Sequence, residues 1–315
     1  MTRTLYSAVL WLVLPLAAWP AGRMEAAEHQ ETEKQVTGLV VSVDPAHQTL
    51  VVSHDAIPGY MPAMTMPYRV RERETLDAVK PGMTIQFTLI VTDRESFITD
   101  VRIRRYESLE PDPAQSRRLA ILDEAMGKKS GAAAVLAAGD AVPDFELTDQ
   151  RNRAVALSQF SGKVAVITFI YTRCPLPDYC MRLTNNFGEM QKRFRERLGK
   201  DMILVSITFD PEHDRPEVLA KYADSWKAES VGWYFLTGSL PAIRRVCGMF
   251  GMNFWPEEGL MTHSLHTIVV DRNRKLVANI EGNQFTAKQL GDLVEATLEQ
   301  PQAGKVDKAL QKPSF

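Results

Sequence analysis

The sequence predicts a small five-stranded β-barrel followed by an α/β domain, and three observations carry that reading. Residues 36–105 form a series of short alternating apolar runs, punctuated by Asp44-Pro45, Pro58-Gly59 and Pro81-Gly82. From residue 142 onward, strand-like and helix-like runs alternate. At 315 residues the chain is long for one core and suits two modest ones. Hydrophobic residues make up 45% and charged residues 24%, the balance of an ordinary globular protein. The net charge is −2 with Lys and Arg scattered among acids, which excludes the basic field a nucleic-acid partner requires.

Residues 38–43, 49–53, 63–70, 84–91 and 97–103 read as the five strands. Closing them into a barrel removes exposed edges. Residues 107–140 read as a linker: Pro111 and Pro113 stop the strand pattern, 116–126 has the apolar spacing of a short helix, and 131–139 is an alanine-rich mobile segment. In the second domain, 141–299, strands are expected at 164–172, 202–209 and 231–236, with a hairpin at 265–270 and 275–280. Helices are expected from Leu183 to Leu198, at 216–226 and 240–250, and at 287–298, where Thr286 and Gln289 make a capping box. Residues 300–315 read as a disordered tail.

Arg3 precedes an apolar run over residues 5–21, broken by Ser7 and Pro15. This is the pattern of an export signal, and the run is short for a membrane span. Residues 1–27 are therefore expected to be a signal peptide or N-terminal anchor, the only expected membrane contact. The protein is expected in the periplasm or on the outer face of the inner membrane, where a cysteine pair can cycle between dithiol and disulfide or hold a metal.

Two of the three cysteines, Cys174 and Cys180, follow the 164–172 run directly and are separated by five residues. In open α/β sheets ligands bind beyond the carboxyl ends of strands, where this loop sits. Arg173 and a helix N-terminus both favour thiolate. A structural disulfide is the plainer alternative, although so short a loop closes little chain entropy. A third ligand must come from elsewhere. His263 ends a glycine- and proline-rich loop just before a strand, and is the best placed. His266 falls on the opposite strand face, and His213 is a weaker candidate. Cys247 shares an apolar helix face with Leu240, Ile243 and Phe250 and reads as a buried, unreactive thiol.

At Asp144-Phe-Glu-Leu-Thr-Asp149, Cys174-Pro…Cys180, Ser206-Ile-Thr-Phe-Asp-Pro-Glu-His-Asp-Arg-Pro216 and Thr262-His-Ser264, the chain resembles the Sco/SenC family. The resemblance covers about residues 141–298. It implies a thioredoxin-like fold, a copper site of Cys174, Cys180 and His263, and metallation or thiol maintenance of the dinuclear copper centre of cytochrome c oxidase. The family's cysteines are usually separated by three residues, so activity carries over less directly than fold.

Upstream, His54 with Met61, Met64 and Met66 gathers soft ligands around one turn. Thioether and imidazole select Cu(I) over harder ions, and core packing is the competing account. Met64 and Met66 share a strand face. Over residues 35–104 the motif His54-Asp-Ala-Ile-Pro…Pro62-Ala-Met-Thr-Met-Pro67 resembles the periplasmic CusF-like copper-binding domain. That resemblance implies a small OB-like barrel holding Cu(I) through His54, Met64 and Met66. Met61 stands where that family places a tryptophan that covers the ion, and is expected to donate a thioether instead.

The expected function is that of an exported metallochaperone rather than an enzyme. It would hold Cu(I), or Cu(II) at the Cys/Cys/His site, and pass it to a copper-receiving protein, a cytochrome c oxidase subunit. The alternatives are a thiol–disulfide oxidoreductase using Cys174 and Cys180 as its redox pair, and a copper buffering or resistance protein.

Overall fold

The computed structural model describes residues 32–104, 135–257 and 260–300. The expected signal segment, the 116–126 helix and the C-terminal tail lie outside the described residues.

The N-terminal domain is one antiparallel sheet: β1 (Thr32–Asp44), β2 (Thr49–His54), β3 (Met64–Arg69), β4 (Thr84–Val91) and β5 (Ser96–Ile103), in the order β3-β2-β1-β4-β5. A short helix, α1 (Glu74–Ala78), separates β3 from β4. All five expected strands are present, but the closed OB-like barrel is not. The edge strands meet only at an isolated bridge, Val70 with Ile98, supported by the Arg71 N–H donating to the Ile98 carbonyl at 3.2 Å. The chain leaves the sheet after Val70 to form α1, and Pro67 in β3 has no N–H to give, so no edge ladder extends from that bridge. The inner face is filled by Val36, Val40, Leu50, Val52, Tyr68, Ile85, Phe87, Leu89 and Ile98.

The second domain has a seven-stranded sheet: β6 (Glu146–Asp149), β7 (Ala154–Ala156), β8 (Val164–Ile170), β9 (Met202–Thr208), β10 (Trp233–Thr237), β13 (His266–Val270) and β14 (Leu276–Glu281), ordered β14-β13-β8-β9-β10-β6-β7. Its helices are α2 (Arg182–Arg193), α3 (Pro216–Ser225), α4 (Leu240–Met249) and α5 (Ala287–Glu299). β8, β9 and β10 run parallel, while β13 pairs antiparallel with both β8 and β14. A βαβ unit (β8–α2–β9) and a ββα unit (β13–β14–α5) thus share the order β14-β13-β8-β9, which is thioredoxin-like topology. Every residue of β8 and β9 is buried, because apolar clusters cover both sheet faces. The Thr286–Gln289 capping box opens α5 as expected.

Two further features depart from the sequence reading. The loop before His263 is a hairpin, β11 (Phe254–Glu257) with β12 (Leu260–His263). Residues 135–139, part of the segment expected to be mobile, are bound to the second domain: the Leu136 N–H donates to the Met249 carbonyl at 2.9 Å and the Gly139 N–H to the Leu276 carbonyl at 2.7 Å. The two domains are also in direct contact. Leu39 of β1 is buried in the second domain's apolar cluster with α5 residues Leu290, Leu293 and Val294. Gly82 lies so close to β14 that a Cβ there would come within 2.6 Å of the Ala278 Cβ.

Candidate metal centres

The chain leaves β8 at Tyr171 and turns into the cysteine loop under the control of one buried carboxylate. Asp214, fully buried, accepts the Thr172 N–H at 3.0 Å, the Thr172 hydroxyl at 2.5 Å and the Thr208 hydroxyl at 2.5 Å. It fastens the ends of β8 and β9 together where the loop begins. Burial pushes its carboxyl above the ordinary range, against the hydrogen bonds that favour the carboxylate. Arg173 lies across Asp210, with an N–O distance of 2.7 Å, rather than over the sulfurs.

Cys180 sits in a kinked turn (Pro177–Met181) just before α2 and is fully buried, while Cys174 is half-buried. Both are free thiols. The pair is polarised. The neighbouring Cys180 thiol, helped by the Tyr171 hydroxyl, holds Cys174 below the ordinary thiol range, outweighing burial. The adjacent Cys174, with burial, pushes Cys180 up. The two sulfurs open on a cleft of about 280 Å³ with Tyr171, Met181, Tyr222 and Trp226 in its walls.

His263, from the end of β12, reaches the same place. Its Nε2 lies 4.0 Å from the Cys180 Sγ. Its Nδ1–H donates to the Ser264 carbonyl at 2.9 Å, which leaves the Nε2 lone pair facing the sulfur. The ring is held between Phe209 (centroids 4.6 Å apart) and the edge of Tyr171 (5.9 Å). Burial pushes its pKa down to about 4, so the imidazole is neutral at physiological pH. His266 hydrogen-bonds Asn279 at 2.8 Å, and His213 pairs with Asp210 at 2.9 Å. Cys247 is buried on the inner face of α4, and burial pushes its thiol well up.

The N-terminal candidates also converge. His54 and Met64 are directly opposed across β2 and β3, with Val52 and Met66 the next pair on that face. His54 is 1% exposed, Met66 half-buried and Met64 41% exposed, so the set spans the rim between core and solvent. Met61 packs on the same core from the connecting turn, which Ile57 and Met61 close through reciprocal backbone hydrogen bonds of 2.8 and 3.1 Å. The His54 Nδ1–H donates to the Asp55 carbonyl at 2.7 Å. Its Nε2 is buried with no hydrogen-bond partner, beside the edge-on ring of Tyr68. An unpaired buried acceptor is costly unless something binds it, which fits a metal ligand. Gly38, opposite His54, leaves no room for a side chain: a Cβ would lie 2.8 Å from the His54 Cα.

Among the described residues no three His, Cys, Asp or Glu side chains are already gathered to hold a metal. The N-terminal set brings one imidazole and thioethers, and the second set two thiols and an imidazole that must close by a small movement. The thioether and imidazole set suits a soft monovalent ion better than zinc or calcium, while two thiols and an imidazole suit a soft or borderline ion and exclude calcium. Tyr171 and Asp214 were not recognised from sequence as parts of the site. Tyr171, three residues before Cys174, was within reach of a local reading; Asp214 acts through tertiary contacts that leave no periodic signal.

A family model described as SCO1/SenC matches residues 134–299, more than half of the sequence. The chain belongs to the SCO1/SenC family. A second model, described as copper binding periplasmic protein CusF, matches residues 33–103. The SCO1 protein homolog of Bacillus subtilis is 31% identical over 97 residues, covering 31% of this chain and 49% of that protein. The SCO2-like protein of Rickettsia felis is 31% identical over 142 residues, covering 42% and 65%. Protein sco1 of Schizosaccharomyces pombe is 27% identical over 154 residues, covering 46% and 56%. The matches thus span roughly half to two thirds of these SCO1/SenC relatives. Among solved structures, a SCO1/SenC family lipoprotein from Bacillus anthracis aligns at a TM-score of 0.47 and 26% identity, covering 53% of this chain and all of that one. Copper-bound yeast Sco1 aligns at 0.45 and 22%, covering 55% and 96%.

Proposed function

We propose that this SCO1/SenC protein is an exported copper carrier. It holds Cu(I) at two sites and hands it to a copper-receiving protein, with the dinuclear centre of cytochrome c oxidase as the destination. One observation carries the reading. In each domain a histidine donates Nδ1–H to the carbonyl of the next residue and leaves Nε2 for a ligand: His54, buried and paired across the strands with Met64, and His263, partly buried and 4.0 Å from the Cys180 sulfur. Cu(I) would sit on His54, Met64, Met66 and Met61 in the first domain and on Cys174, Cys180 and His263 in the second, which also suits Cu(II). Sites of few soft ligands favour hand-over, because an incoming ligand binds before an outgoing one leaves. The test is Cu(I) titration of the reduced chain. Two equivalents are expected, falling to one in Cys174→Ser/Cys180→Ser; a single site in the intact protein would overturn the proposal.

The polarised thiol pair favours a second reading, a thiol–disulfide oxidoreductase. There the Cys174 thiolate attacks a partner's disulfide and Cys180 resolves the mixed disulfide, leaving an intramolecular disulfide and two reduced partner thiols. His263 has no role in that exchange. His263→Ala would spare reductase activity and abolish copper delivery, which separates the two.

A further inference from the structure

The domain contact lies directly behind the N-terminal soft-ligand set. On β2 and β3 the side chains alternate between faces. His54, Met64 and Met66 face inward with Val52 and Tyr68, while Ser53 and Thr65, a cross-strand pair, face outward. Ser53 is nevertheless fully buried, because α5 covers it. The Ser53 hydroxyl donates to Asp292 Oδ2 at 2.6 Å, and so does the Thr65 hydroxyl, also at 2.6 Å. Asp292 is held in turn by Lys288 at 2.7 Å and Arg193 at 2.8 Å. One turn earlier, the Gln289 side chain donates to the Ser53 carbonyl and to the Asp55 side chain, both at 3.2 Å. Helix α5 therefore grips the residues on both sides of His54 and the residue between the two methionines. Asp55, which Gln289 holds, supplies the carbonyl that fixes the His54 tautomer.

We propose that α5 of the thioredoxin-like domain positions the N-terminal copper site from behind, with Asp292 as the principal positioning residue, so that this site is complete only while the domains are docked. The inference rests on the copper reading above. Asp292 is hydrogen-bonded to no ligand; it ties together the outward side chains of the two strands that carry them. Groups hydrogen-bonded directly to a ligand are worth about 10–100-fold in metal affinity, and Asp292, one residue further out, is placed at the lower end of that range. Coupling of this kind is reciprocal, so metal bound at His54 must strengthen the grip on α5.

The experiment uses the full reduced chain carrying Cys174→Ser/Cys180→Ser, so that only the N-terminal site is read, with Cu(I) competed against a chromophoric Cu(I) chelator. Ser53→Ala/Thr65→Val in that background leaves every α5 residue in place. It is expected to weaken Cu(I) binding about tenfold. Asp292→Asn, which keeps one acceptor oxygen, should give a smaller loss in the same direction. Amide hydrogen exchange supplies a readout that a merely structural contact would not move: Cu(I) should slow exchange across Ala287–Glu299 in the parent and not in the double variant. Affinities within twofold of the parent, with α5 exchange indifferent to Cu(I), would overturn the inference. A parent that takes up no Cu(I) would instead overturn the copper reading on which it rests.

Discussion

The Sγ of Cys180 and the Nε2 of His263 face each other at 4.0 Å, one rising from the turn before α2 and the other from the end of β12. The sulfur is fully buried and its acidity suppressed, so this contact is of little use to a free nucleophile. It is well placed for closing on a shared ion. Replacing His263 with Ala should lower Cu(I) affinity at the second site at least about tenfold, using the lower end of the range for losing a ligand's supporting partner. Competition titration in a Met64→Ala/Met66→Ala background reads this directly. An unchanged affinity would remove His263 from the site.

Acid should weaken this domain through the same residue. Burial holds the His263 pKa at about 4, whereas the unfolded chain has an ordinary imidazole near 6.5. Between those values the unfolded state binds a proton that the folded state does not, so stability falls as pH falls from about 6.5 to 4. His263 keeps some solvent contact, which limits the loss to on the order of 2 kcal/mol. Urea unfolding at pH 7 and pH 4.5 should show the loss in the parent and a smaller one in His263→Ala. Equal losses would assign the acid sensitivity elsewhere.

Alkylation should rank the three thiols. Cys174 is half-buried and held below the ordinary thiol range, Cys180 is buried and raised, and Cys247 is buried on an apolar helix face. Since the thiolate is the reacting form, iodoacetamide near pH 7 should label Cys174 first, Cys180 more slowly, and Cys247 only on unfolding. Peptide mass analysis over time checks the order. Early labelling of Cys247 would contradict its buried placement.

The strand pattern of the first domain, the alternation of the second and the two clusters of candidate soft ligands were legible because each is a local signal: period-two apolar runs, prolines and glycines at turns, and sulfur residues close in sequence. The Thr286–Gln289 capping box was legible for the same reason. Contacts between distant segments were not. Nothing near Val70 or Ile98 says that the sheet edges meet at one bridge instead of along a ladder. The β11–β12 hairpin carries glycine and proline, the signature of a loop, and its pairing comes from what it packs against. Ser53 and Thr65 look like ordinary outward strand residues, and only the position of α5 makes them an interface.

The domain contact should also govern how the chain unfolds. Leu39 belongs to β1 yet is 1% exposed within the second domain's apolar cluster, so the N-terminal sheet contributes a side chain to a core that is not its own. Removing it leaves a cavity that neither domain fills, at a cost of about 2–4 kcal/mol. Two probes separate the domains. Trp226, Trp233 and Trp255 lie in the second, so with Trp11 and Trp19 of the N-terminal segment replaced by Phe, tryptophan fluorescence reports that domain alone, while circular dichroism follows both. In the parent the two urea transitions should coincide, because docking makes the domains unfold as a unit. In Leu39→Ala they should part, with both midpoints lower. Coincident transitions at an unchanged midpoint would mean that the sheet rests on α5 without being held there.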